Sequence, residues 1–94
     1  MKIKYVPVYD THNTVIEYVD ENTIKIDNEL YEFDTESVVW DNIATETDGK
    51  IVAARRDSTG ELYVDVVRKY FYENAGTVIP QPEWDTGDYH AFGR

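Results

Sequence analysis

The chain has 94 residues, and 19 acidic against 9 basic side chains leave a formal charge of −10. That length excludes two-domain and repeat architectures, since an independent domain takes about 50 to 200 residues, so residues 1–94 are read as a single domain. The charge repels phosphates and anionic headgroups, which argues against nucleic acid or a membrane as direct partners, and the absence of cysteine removes disulfides, thiolate metal sites and thiol catalysis.

With 41% apolar and 14% aromatic residues, the chain is too rich in rings for a solvated acidic tail and is expected to fold. Pro7 interrupts the short apolar start, and no run approaches the roughly 20 apolar residues of a membrane span. A cytoplasmic or virion-associated product is the corresponding expectation.

Lys2 to Tyr9 carries the strand formers Ile3, Tyr5, Val6, Val8 and Tyr9, and Asp10-Thr11-His12-Asn13 supplies turn chemistry. Val15 to Val19 reads as a second strand, with Ile16 and Tyr18 on one face, forming a hairpin with the first. Thr23 to Asp27 alternates with period 2, which puts Ile24 and Ile26 inward and Thr23, Lys25 and Asp27 toward water. Asn28-Glu29 then turns the chain into Leu30 to Asp34, where Tyr31 and Phe33 share a face. The expectation for residues 2 to 34 is a meander of four short strands.

Residues 35 to 49 lose the alternation and read as a crossing segment, with at most one short helical turn near 36–45. Lys50 to Arg56, the loop Asp57-Ser58-Thr59-Gly60 and Glu61 to Tyr72 form the clearest hairpin, with Gly60 at a left-handed loop position. On its second strand Leu62, Val64 and Val66 share one face. Tyr63, Val67 and Phe71 share the other with Asp65, a mixture expected of a central strand. The tail 73–94 is extended and irregular, because Pro80 and Pro82 cannot donate to a ladder. Its rings Trp84, Tyr89 and Phe92 are expected to drape over the sheet or dock on a partner. The fold class is therefore mainly β: a small antiparallel sheet, or a sandwich or partly open barrel, of about six strands.

Only the hairpin is basic, residues 50 to 72 carrying five basic and three acidic groups. Arg55, Arg56, Arg68 and Lys69 either pair with cross-strand carboxylates or meet an acidic partner surface, for instance the acidic segment of a second copy. Tyr70, Phe71 and Tyr72 are consecutive, and successive strand residues point to opposite faces, so one layer cannot bury all three. The interaction candidates are thus Tyr70, Tyr72, Trp84, Tyr89, Phe92, Arg55, Arg56 and Arg68.

Chemistry-bearing motifs are weak. The residues before Gly49 and Gly60 lack the spaced oxygen ligands of an EF-hand. A metal site from His12 and His90 with Asp10, Asp85 and Asp88 would need two distant turns to converge. Ser37 and Ser58 lack a nucleophile elbow, and no glycine-rich phosphate loop exists. The reading is no enzyme, no metal and no cofactor.

The run Ile51 to Phe71, IVAARRDSTGELYVDVVRKYF, followed by Glu83 to His90, EWDTGDYH, resembles small proteins encoded among phage and prophage tail genes. The resemblance implies a structural or assembly role in or beside a virion and supplies no catalytic residue. The acidic first half has no counterpart in it. The expected function is a non-enzymatic protein-interaction or structural module that binds a protein partner or itself. The alternative is an acidic inhibitor whose carboxylates imitate phosphates and fill the basic channel of a host or defence protein.

Overall fold

Apolar side chains at alternate positions drive these segments into strands that bury one face each. In a computed structural model, which describes residues 1–70 and 88–92, the strands are β1 (Lys2–Tyr9), β2 (Ile16–Asp20), β3 (Thr23–Ile26), β4 (Glu29–Glu32), β5 (Ile51–Arg56), β6 (Leu62–Tyr70) and β7 (His90–Ala91). One helical turn, α1 (Ile43–Glu46), lies between β4 and β5. The strands make two sheets, ordered β5-β6-β1-β7 and β2-β3-β4. The architecture is mainly β, as the alternation predicts.

The hairpin of β5 and β6 is antiparallel, with Arg56 opposite Leu62 and Ile51 opposite Val66. Gly60 sits at φ 86°, the left-handed region that the loop requires. Leu62, Val64 and Val66 are sealed from water, and β6 is central, between β5 and β1.

The first strand departs from expectation. It forms no hairpin with β2 and instead runs parallel to β6, from Lys2 opposite Tyr63 to Tyr9 opposite Tyr70, with β7 antiparallel on its other side. The register explains the choice: Ile3 lies beside Val64 and Tyr5 beside Val66, so β1 extends the apolar layer of β6. Residues 10–14 then cross the end of β6. Asp10 N–H donates to the Tyr70 carbonyl at 3.0 Å, Thr14 N–H to the Lys69 carbonyl at 2.9 Å, and Lys69 N–H to Thr14 Oγ1 at 2.8 Å. Because Lys69 and Tyr70 present their main-chain groups on opposite sides of β6, these bonds carry the chain from the β1 side to the β5 side.

The meander is therefore three strands. Its second turn is Asp27-Asn28, at φ 48° and 70°, the left-handed pair of a two-residue hairpin, one residue earlier than the sequence suggests. Ile24 and Ile26 are fully buried, as predicted; Thr23 is buried too rather than solvated, flanked by Asp20 of β2 and Glu32 of β4.

The core gathers Ile3, Tyr5, Ile51, Ala54, Leu62, Val64 and Val66 from the larger sheet and Ile24, Ile26 and Phe33 from the smaller side. Residues 33–50 cross the seam between the edges of β4 and β5. The Trp40 ring stands perpendicular to Phe33 at 5.5 Å, and Ile43 is buried below. Thr47 closes the segment: its Oγ1 donates to the Ile43 carbonyl at 2.7 Å and accepts the Ile51 N–H at 3.0 Å. Trp40 and Ile43 thus plug the seam, leaving a hollow on each side.

Candidate functional site

The hollow on the β5 side is a cleft of about 330 Å³, floored by Trp40, Ile43 and Ala54 and walled by Val39, Val52, Arg55, Tyr63, Asp65 and Tyr89. Strand alternation builds its wall. Arg55 and Tyr63 are directly opposite across β5 and β6, as are Ala53 and Asp65, so these four point away from the core.

Tyr89 enters β7 from the same side. Its ring stands edge-on to Tyr63 at 5.2 Å, and its hydroxyl donates to Asp65 Oδ1. Burial, reinforced by that bond to a carboxylate, pushes the Tyr89 hydroxyl up to about 12. It is therefore a neutral donor near pH 7. Lys4 of β1 completes the group, 3.6 Å from Asp65 Oδ2 and 5.1 Å from the Tyr89 ring centroid.

The Arg55 guanidinium lies 4.4 Å from the Tyr63 centroid and 5.8 Å from that of Tyr89. Stacking occupies the face of the guanidinium and leaves its in-plane N–H groups available to a carboxylate. Arg55 has no ion-pair partner among the described residues. Beside it the edge of β5 is only partly covered. Trp40 N–H reaches the Ala54 carbonyl at 3.3 Å and Arg56 N–H the Val38 carbonyl at 2.8 Å, and no described strand pairs with the edge below them. Val38, Val39 and Val52 around this edge are 62%, 60% and 46% exposed.

Of the residues singled out from sequence, the fold brings Arg55 and Tyr89 together here and disperses the others. Arg56 clamps the two sheets, donating to Asn22 Oδ1 at 2.9 Å, the Asp34 carbonyl at 3.0 Å and the Gly60 carbonyl at 3.1 Å. Arg68 stacks on Tyr5 at 4.8 Å, Tyr70 lies against Tyr9, and Phe92 packs on Tyr18 at the core margin. Tyr72 and Trp84 lie outside the described residues.

The lysines of the basic hairpin make the cross-strand pairs, Lys50 with Glu29 at 3.2 Å and Lys69 with Asp10 at 3.3 Å. The histidines stay apart: His90 pairs with Ile3 near the start of β1, whereas His12 follows its far end and approaches Asp27. Sequence reasoning missed Val39, Val52, Tyr63 and Asp65. The outward face of β6 was the available signal for the last two, and the unpatterned apolar run Ser37 to Trp40 for the first.

A stacked cation, neutral tyrosine hydroxyls and an apolar rim beside a strand edge that no described strand pairs are the components of a recognition surface. Compared with protein-family models, curated proteins and solved structures, the chain matches none.

Proposed function

We propose that this protein is a non-enzymatic interaction module that takes an extended segment of a partner protein along the edge of β5. The likeness of Ile51 to Phe71 and Glu83 to His90 to phage tail-region proteins makes virion or tail assembly the proposed setting. One observation carries the reading: Val39 and Val52 are exposed beside a stretch of strand edge that no described strand pairs, the feature that monomeric β proteins ordinarily cover or charge. Main-chain pairing there would supply affinity, the valines would fix register, and Arg55 would donate to a carboxylate of the partner.

An acidic decoy for a basic channel is less well supported. It needs the carboxylates of residues 17 to 48 on one surface, and ladder alternation divides them. Glu17, Asp20 and Glu32 share the outer face of the smaller sheet with Lys25, whereas Glu29 lies on the opposite face and is held by Lys50.

The test is co-purification of the tagged chain from its native host. The Val39→Lys/Val52→Lys double variant should lose a stoichiometric partner that native protein and the Lys25→Ala control retain, with unchanged circular dichroism. Retention of the same partner by the double variant would refute edge binding.

A further inference from the structure

We propose that the second hollow, between β4 and α1, binds a basic, extended segment of a partner protein in which lysine or arginine alternates with apolar residues. This groove, of about 330 Å³, lies across the Trp40–Ile43 plug from the β5 cleft. Its floor is apolar, made by Phe33, Trp40, Ile43 and Ile51. Its rim is acidic: Glu32, Asp34 and Glu46 line it and are exposed, and among the described residues no lysine or arginine lines it.

No described strand pairs with the edge of β4 along it. Glu29 faces Ile26 across the two-residue turn, so alternation directs the main-chain groups of Glu29 and Tyr31 to β3 and those of Leu30 and Glu32 outward. Leu30 is 54% exposed at this edge. Neither Glu32 nor Glu46 has an ion-pair partner among the described residues.

Charge selects the occupant. A second copy brings another acidic edge on a body of charge −10, and a nucleic acid brings phosphates; both are repelled. A strand with cations toward Glu32 and Glu46 and small apolar side chains over Trp40 matches rim and floor together. The site is independent of the β5 edge, so a chain whose Val39→Lys/Val52→Lys variant keeps its partner still binds here.

The probe is a blocked eight-residue peptide alternating lysine with valine, titrated into the 15N-labelled full chain. Amide shifts should concentrate at Leu30, Glu32 and α1. Affinity should fall about tenfold in Glu32→Gln/Glu46→Gln, and less than about twofold in Glu17→Gln/Asp20→Asn, which removes the same charge from β2, across β3 from the groove. A glutamate–valine peptide should not bind. Equal weakening by the two double variants, shifts centred on Glu17 and Lys25, or no binding at millimolar peptide would each overturn the proposal.

Discussion

Asp57 organises the hairpin loop with one carboxylate. It accepts from Thr59 Oγ1 at 2.6 Å, Thr59 N–H at 2.9 Å, Glu61 N–H at 3.1 Å and Tyr63 O–H at 3.1 Å. The Thr59 hydroxyl, followed by the main-chain donors, holds the acid down at about 2 against an ordinary 3.8. A lowered acid stabilises the fold fully above its ordinary value and loses that contribution as pH falls through the folded value. The melting-temperature deficit of Asp57→Asn should therefore shrink between about pH 4 and pH 2; a constant deficit would contradict it. Tyr89 has the opposite sign. Its raised hydroxyl favours the fold below about pH 10 and ceases to do so as pH rises toward 12. Asp65→Asn removes the hydrogen-bonding carboxylate but not the burial, so the Tyr89 transition, followed at 295 nm by difference from a Tyr89→Phe variant, should move down without becoming ordinary. Gly60 isolates a third effect, since nothing lies within 4 Å of where a Cβ would stand. Gly60→Ala should then cost only the left-handed backbone penalty, about 1 to 2 kcal/mol in a denaturant melt, and Gly60→Asn less.

At the scale of elements, β6 is legible in the sequence because its information is local. Leu62, Val64 and Val66 announce a buried face, and Asp57 to Gly60 announces the turn that returns β6 beside β5. The pairing of β1 is not legible. The alternation of Ile3 and Tyr5 declares which face is buried but not which strand lies alongside, and a turn at Asp10 to Asn13 suits a hairpin with β2 as well as a crossing of β6. With both β6 and β7 as neighbours, β1 is central to the larger sheet. Ile3→Ala should accordingly cost about 2 to 5 kcal/mol, and Ile16→Ala, on the partly buried edge strand β2, clearly less. Equal losses in urea titrations would show that β1 is not held as described.

For the whole molecule, the charge of −10 sets a salt response. The lysine–carboxylate pairs among the described residues, Lys4–Asp65, Lys50–Glu29 and Lys69–Asp10, keep solvent contact, so each adds little to stability. Screening weakens them, but it also relieves the self-repulsion of a net charge of −10, and the second effect is expected to dominate. Melting temperature should rise by a few degrees between about 0.02 and 0.5 M NaCl. A fall would mean that the pairs outweigh the repulsion.

Sequence alone determined the strand content, the buried faces of β3 and β6, the left-handed loop glycine and the concentration of cations in one hairpin, because each follows from the period of side chains or the torsional freedom of a single residue. Only tertiary structure decided which cations are structural. Arg56 became a clamp because Asn22, Asp34 and Gly60 converge on it, and Arg55 faces solvent because its neighbour on β6 is Tyr63 and Tyr89 returns beside both. Those meetings join residues distant in the chain through strand register, which no local pattern encodes.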